Sequence, residues 1–163
     1  MVYEDKAAPT RDCPEPEPRS QPNTHATLAF SNQARRALEI TMLIASVLVG
    51  LVALIHVYIL VLEMFMWDTP KGRKVFNTTP EFSAASKVLA ANQGLYNGFL
   101  AAGLIWSLIL GIGTGAAGRP VALFFLAGVV AVGLYGTVTA VRKILYVQVL
   151  PAAIAIAAVL FLG

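Results

Sequence analysis

The stretch that decides the fold is ITMLIASVLVGLVALIHVYILVLEMFM, residues 40–66, in which His56 and Glu63 interrupt an almost entirely apolar run. An α-helix rises 1.5 Å per residue, so about 20 residues cross the ~30 Å hydrocarbon core of a bilayer. The run is therefore long enough to span a membrane as a helix. It is too long and too continuously apolar for a strand of a membrane β-barrel, which alternates over about ten residues.

Three further apolar runs follow, at about 88–110, 121–141 and 144–162. Because only helices and closed barrels satisfy every backbone polar group in lipid, the sequence predicts an all-α fold. We expect an integral membrane four-helix bundle over residues 35–163. Residues 1–34 are rich in proline and glutamate and poor in large apolar side chains. They are predicted to form a disordered tail, because they bury too little area to offset the entropy of ordering.

The composition agrees with a membrane protein and excludes several other classes. Of 163 residues, 57% are hydrophobic and 13% are charged, whereas soluble domains carry about 25% charged residues. The mean hydropathy is +0.70. These values exclude a soluble enzyme and a nucleic-acid-binding domain. Cys13 is the only cysteine, so an intramolecular disulfide and a cysteine-built metal site are excluded as well.

The cations lie at the ends of the apolar runs, where they contact lipid headgroups and set the orientation of the helices. The positive-inside rule predicts a multi-pass protein of a bacterial-type plasma membrane, with loops 67–87 and 142–143 in the cytoplasm. Only Arg142 and Lys143 separate the third run from the fourth, which predicts a very tight hairpin; one interrupted helix is the alternative. Lys71, Arg73, Lys74, Lys87, Arg142 and Lys143 lie on the predicted cytoplasmic side, against Arg35, Arg36 and Arg119 on the other.

His56 and Glu63 are the candidate catalytic residues. They are seven positions apart, which places them on one face of the first helix, about 10 Å apart along its axis. A charge in the middle of a membrane helix costs roughly 2.5–3.5 kcal/mol, so each of these residues needs an explanation. In the alternative interpretation, Glu63 lies in the headgroup zone, paired with Lys71 or Arg73, and His56 is a satisfied core histidine.

A second polar group opens the second apolar run, in the sequence Asn-Gln-Gly-Leu-Tyr-Asn-Gly of residues 92–98. If the preceding loop reverses the chain direction without crossing the membrane, these polar side chains lie on the same side of the membrane as Glu63. His56 and Glu63 offer only two metal-ligating side chains, which are too few for a metal site. Neither a metal nor a cofactor is therefore predicted. The amides could instead serve only as hydrogen bonds between helices. The predicted substrate-binding residues are Trp67, Asn92, Gln93, Tyr96, Asn97, Tyr146 and Gln148.

Four segments of this sequence resemble the bacterial membrane family called domain of unknown function 1304. They are Tyr58-x4-Glu63-Met-Phe-x-Trp67, the tetrapeptide of residues 73–76, the motif of residues 92–98 with the Phe-Leu-Ala-Ala-Gly-Leu that follows it, and Gln148-x2-Pro151-Ala. The resemblance covers about residues 40–163. It implies four transmembrane helices in one compact unit, and it implies no activity.

The polar cluster leaves three hypotheses about function. The first is an acid/base enzyme, an isomerase or cyclase acting on a lipophilic isoprenoid-like substrate. Glu63 would be its general acid or base and His56 its proton relay, while Tyr96 and Trp67 would stabilise a developing cation through their ring faces. The second is a binding or proton-coupled transport protein, which would need a homo-oligomer formed through the glycine-rich helix faces 94–98 and 128–136. The third is a structural or accessory membrane protein without catalysis.

Overall fold

A computed structural model of the protein describes residues 24–113 and 115–161. Within these ranges every regular element is a helix and there is no strand, so the predicted all-α class is confirmed. The elements are α1 (Thr24–Phe65), α2 (Pro70–Phe76), α3 (Pro80–Leu110), α4 (Gly118–Thr139), a π-helical turn (Leu145–Val149) and α5 (Leu150–Phe161).

Three of the helices are long and apolar enough to cross a membrane, namely Leu28–Phe65, Pro80–Leu110 and Gly118–Thr139. They indicate a membrane protein, as the sequence predicts. The fourth apolar run, Leu145–Phe161, forms a shorter helical segment. The structure therefore contains three long spans where the sequence predicts four.

Two helices begin earlier than the apolar runs that predicted them. Helix α1 starts at Thr24, so residues 24–34 of the predicted tail are helical, and residues 1–23 of that tail lie outside the described part. Helix α3 starts at Pro80, because Thr79 caps it: the Thr79 hydroxyl accepts a hydrogen bond from the Phe82 amide at 3.2 Å. Proline is favoured at the first position of a helix, where its missing N–H is not needed.

The helices surround a core of small and aliphatic side chains. Helix α1 packs against α3 and α5, and α4 packs against the same two helices. Helices α1 and α3 are antiparallel, as are α3 and α4, so α1 and α4 end at the side where α3 begins. The core is formed by Ala45, Val49, Val52, Ala53, Leu104, Ala122, Leu126, Val129, Ala152, Ala155 and Val159, with several neighbours.

The glycines that were expected to form an oligomer interface face helices of the same chain. A Cβ atom at Gly94 would come within 3.0 Å of the Met64 backbone nitrogen. One at Gly98 would overlap the side chain of a leucine on α1, and one at Gly136 would come within 3.0 Å of Ile144. Gly128 lies in ordinary contact with α3. Gly94, Gly98 and Gly136 thus allow close packing within the chain.

The third and fourth apolar runs form a hairpin rather than one interrupted helix, because α4 packs against both the π-helical turn and α5. The π-helical turn ends two residues before Pro151, and its geometry includes a hydrogen bond from the Leu150 amide to the Leu145 carbonyl. Proline lacks an N–H, and its ring clashes with the carbonyl four residues earlier in an α-helix. The wider π-helical spacing relieves this clash just before Pro151.

Candidate functional site

Glu63 of α1 and Asn97 of α3 meet across the interface between the two helices. The Asn97 side-chain amide donates a hydrogen bond to Glu63 Oε2 at 2.8 Å, and a second one to the Gln93 carbonyl at 3.1 Å. Both side chains are half-buried. Two of the predicted site residues from different helices are thus brought into direct contact.

Glycine spacing explains why these two side chains can meet. Gly94, Asn97 and Gly98 lie three and four positions apart, so they share one face of α3. Gly94 lets the α1 backbone approach so closely that a Cβ there would lie 3.1 Å from the Leu60 carbonyl oxygen. Asn97 lies on this close-packed face and is therefore directed at α1.

Asn97 also lines an outward-facing cleft of about 310 Å³, which we call the α3–α4 cleft. The Asn97 amide N–H groups are used by Glu63 and Gln93, which leaves its carbonyl oxygen as an acceptor for a ligand. Glu63 itself is not part of the cleft wall and is connected to it through Asn97. The wall is formed by Gln93, Tyr96, Asn97, Phe99, Leu100 and Val132.

His56 lies in the core of the helices rather than in the α3–α4 cleft. Its side chain is 0% exposed, and its Nδ1 atom is 2.8 Å from the Val52 carbonyl oxygen. Because a carbonyl only accepts hydrogen bonds, Nδ1 carries a proton, and in the neutral ring Nε2 is then an acceptor. Among the described residues, Nε2 has no hydrogen-bond partner. His56 is therefore a buried core histidine whose Nδ1 atom is paired with Val52.

Trp67 belongs to the connection between α1 and α3. Its indole N–H donates to the Ser86 hydroxyl at 3.0 Å, and its ring lies 4.8 Å from that of Phe76. Asn92 faces outward on α3. Neither residue is part of the α3–α4 cleft wall.

The two predicted site residues of the last segment also lie apart from the Glu63–Asn97 pair. Tyr146 lines a separate cleft with Arg142. Gln148 lies against Gly133 of α4, where its Oε1 would be 3.6 Å from an added Cβ. The structure thus assembles Glu63, Gln93, Tyr96 and Asn97, and it distributes the remaining predicted residues over other sites.

Asp68, in the turn after α1, forms a polar centre that the sequence analysis missed. Its Oδ1 atom accepts hydrogen bonds from the Ser83 hydroxyl at 2.7 Å and from Arg73 Nη1 at 2.9 Å. The Ser83 hydrogen bond, followed by the bond and charge of Arg73, holds the pKa of the Asp68 carboxyl below its ordinary value. Arg73 is therefore the partner of Asp68 and not of Glu63.

Two capping signals could have revealed this connection. Thr69-Pro70 and Thr79-Pro80 are both helix starts, and Thr69 accepts a hydrogen bond from the Gly72 amide at 3.2 Å. The resulting short helix α2 folds back onto the end of α1, because a Cβ at Gly72 would overlap the Met66 carbonyl. Asp68 directly precedes the first of these helix starts, and Ser83 lies in the first turn after the second. Their contact cannot be predicted from the periodicity of apolar residues.

Comparison with known proteins links this arrangement to a family without an assigned activity. The family model described as "Protein of unknown function (DUF1304)" matches residues 50–160. The chain is 35% identical over 100 residues to the "Uncharacterized protein YpaA" of Lactococcus lactis subsp. lactis (strain IL1403). That alignment covers 60% of this chain and 81% of the relative. No solved structure matches the chain.

Proposed function

The chain belongs to the DUF1304 family, and we propose that it is a membrane enzyme performing acid/base chemistry on a lipophilic, isoprenoid-like substrate. The observation that carries the proposal is the 2.8 Å hydrogen bond by which Asn97 connects Glu63 to the α3–α4 cleft. An ionisable group on a membrane helix is costly and is by default a sign of function.

The cleft suits a largely apolar molecule that carries one polar group. Phe99, Leu100 and Val132 provide apolar walls, and Gln93 and Asn97 provide amides. Such a molecule enters sideways from the hydrocarbon phase, because the cleft opens on the outer face of the helices. The free carbonyl of Asn97 accepts a hydrogen bond from the polar group and orients the substrate.

The chemistry is a proton-initiated isomerisation or cyclisation. The carboxylic acid form of Glu63 gives its proton to a carbon–carbon double bond, which leaves a carboxylate and a carbocation. Loss of a proton from a neighbouring carbon to that carboxylate forms the product and restores the acid. The Tyr96 ring lines the cleft and stabilises the cation through its face. Glu63 reaches the substrate when the oxygen of the substrate's polar group accepts the Asn97 N–H in place of Glu63 Oε2.

A lipophilic carbodiimide tests whether Glu63 is reachable from the hydrocarbon. Dicyclohexylcarbodiimide partitions into membranes and reacts with carboxylic acids there. In mildly acidic vesicles, we expect peptide mass spectrometry to locate the adduct on Glu63, and none on Asp68, which is held by Ser83 and Arg73. Glu63→Gln should abolish the adduct. Wild-type protein without an adduct on Glu63 would contradict the proposal.

Deuterium incorporation tests the reaction itself. Full-length protein in nanodiscs is incubated in D₂O with geraniol and farnesol as probes, and deuterium bound to carbon in the recovered alkenes is measured. We expect incorporation with wild type and none with Glu63→Gln. Lys71→Gln is the control, because Lys71 lies outward on α2 and away from the cleft. Equal incorporation by Glu63→Gln would exclude Glu63 as the acid.

Binding or proton-coupled transport is the second candidate, favoured by the fact that Asn97, and not Glu63, lines the cleft. A probe that is retained by the wild type, released by Asn97→Ala and never labelled with deuterium would support binding. The third candidate is a structural or accessory role. It predicts that Asn97→Ala changes stability alone.

The proposed topology has four membrane crossings, with the Leu145–Phe161 segment as the fourth. Its 17 residues are at the short end of the range that crosses a bilayer. The positive-inside rule then favours a cytoplasmic location for the connections 67–87 and 142–143. In a Cys13→Ser background, Lys71→Cys should react with an impermeant maleimide only in inverted vesicles, and Ala117→Cys only in intact cells. The reverse pattern would invert the topology.

A further inference from the structure

A second cleft lies between the end of α4 and the π-helical turn, at the side where α3 begins. It has a volume of about 500 Å³, and we call it the Arg142 cleft. It contains none of the residues of the α3–α4 cleft. Its wall is formed by Thr137, Val138, Arg142, Leu145 and Tyr146.

We propose that the Arg142 cleft binds the phosphate headgroup of an anionic phospholipid. Arg142 supplies the charge and a fork of N–H donors that matches phosphate oxygens. The Tyr146 hydroxyl supplies a further donor. The Thr137 hydroxyl donates to the Gly133 carbonyl at 2.7 Å, so its oxygen is left as an acceptor. Within residues 24–113 and 115–161, the Arg142 guanidinium has no hydrogen bond or ion pair with the protein.

Charge at this end of the molecule favours an anion. The antiparallel helices bring Lys71, Lys74 and Lys87 to the same side as Arg142 and Lys143, and all five of these cations face outward. Arg73 is different, because Asp68 already neutralises it at 2.9 Å. Lys87 also acts by charge on Asp68, and Glu81 is a second carboxylate at this end. The cations outnumber these two carboxylates, so the Arg142 cleft lies in a net positive field, which attracts anionic lipid at the membrane surface.

The apolar part of the wall selects a lipid over a soluble anion or a peptide. Val138 is 86% exposed and Tyr146 is 68% exposed, and both lie beside Arg142. Val138 belongs to the last turn of a helix that is apolar enough to cross a membrane. A lipid fits both features at once, because its acyl chains cover Val138 and Leu145 while its phosphate reaches Arg142.

The π-helical turn explains why Tyr146 contributes to this cleft instead of the core. Pro151 imposes the turn, which inserts one extra residue per hydrogen-bonded ring and changes the direction of the side chains before it. Tyr146 consequently faces outward, whereas Val149 is buried. Turns of this kind occur frequently at functional sites.

Native mass spectrometry of the full-length protein in detergent tests the proposal, with dioleoylphosphatidylglycerol as the probe and dioleoylphosphatidylcholine as the zwitterionic reference. We expect Arg142→Gln to weaken binding of phosphatidylglycerol about fivefold, because it removes the charge-assisted hydrogen bonds to the phosphate that are proposed inside the cleft. Tyr146→Phe should weaken it less. Lys71→Gln is the matched control: it removes the same charge at the same end but outside the cleft, and should change binding less than twofold.

Several outcomes would overturn the proposal. Equal losses from Arg142→Gln and Lys71→Gln would mean that the attraction is spread over the surface. Competition by inorganic phosphate at equal concentration would identify a general anion site, and displacement by a phosphorylated peptide would identify a protein-binding site. Circular dichroism checks that each variant is folded. Glu63→Gln should leave lipid binding unchanged, so this test is independent of the proposed enzyme.

Discussion

Two carboxylates at the same end of α1, only five residues apart, have very different surroundings. Asp68 accepts hydrogen bonds from a guanidinium and from a buried serine, and both partners come from the connection to α3 or from its first turn. Glu63 accepts one hydrogen bond, from the neutral amide of Asn97. Asp68 is therefore fixed by charged and hydroxyl donors, while Glu63 is oriented but not neutralised. The difference separates an acid that supports the connection between helices from the acid to which the proposed chemistry is assigned.

The largest effect is expected from disturbing the packing of α2, which carries Arg73, against the end of α1. Gly72→Ala should lower the free energy of unfolding by about 3 kcal/mol, because the new Cβ overlaps the Met66 carbonyl and backbone has to move. The measurement is unfolding by sodium dodecyl sulfate in mixed micelles. Gly50→Ala is the control, since its Cβ would lie 3.8 Å from Leu108 in ordinary contact. Equal stability of both variants would show that the α2 contact does not hold the connection.

The next prediction removes the carboxylate of Asp68 itself. Asp68→Ala should lower the melting temperature at neutral pH by less than Gly72→Ala, because two side-chain hydrogen bonds are lost but no backbone moves. The pKa of Asp68 is lowered by its partners, so the stabilisation is fully present above the ordinary pKa of an aspartate and is lost as the pH falls through the lowered pKa. The melting temperatures of Asp68→Ala and wild type should therefore converge in acid. A constant difference would contradict the role of the charge.

The comparison also explains how much of the molecule could be predicted from its sequence. Apolar length predicts α1, α3 and α4, because crossing a bilayer requires it, and the polar motif that opens the second run is predicted to lie on the same membrane side as Glu63. The specific contact between Asn97 and Glu63 comes from the structure. Apolar length does not report contacts made by capping and turn residues, so Asp68 and Ser83 were missed. The last segment deviated for another reason: Pro151 imposes the π-helical turn, which separates Tyr146 from the predicted cluster.

A smaller loss of stability is expected from removing the hydrogen bond between Asn97 and Glu63. Asn97→Ala should lower the free energy of unfolding by about 0.6 kcal/mol, the average for one hydrogen bond between membrane helices. It should also remove the acceptor that orients a ligand in the α3–α4 cleft, and so reduce deuterium incorporation far more than it reduces stability. Asn92→Ala is the matched control, because Asn92 is an outward-facing asparagine on the same helix. Equal effects of the two variants on incorporation would remove Asn97 from the site.

The smallest change in stability is expected from Glu63→Gln, and this near absence of effect is the sharpest test of the comparison. Glutamine has the same shape, and its side-chain oxygen still accepts the hydrogen bond from Asn97. No cationic partner of Glu63 is lost, since the ion pair found within residues 24–113 and 115–161 joins Asp68 to Arg73. The melting temperature should therefore stay within error of wild type while deuterium incorporation stops. If Glu63→Gln instead destabilised the protein as much as Asp68→Ala, both acids would be structural, and the distinction between them would fail.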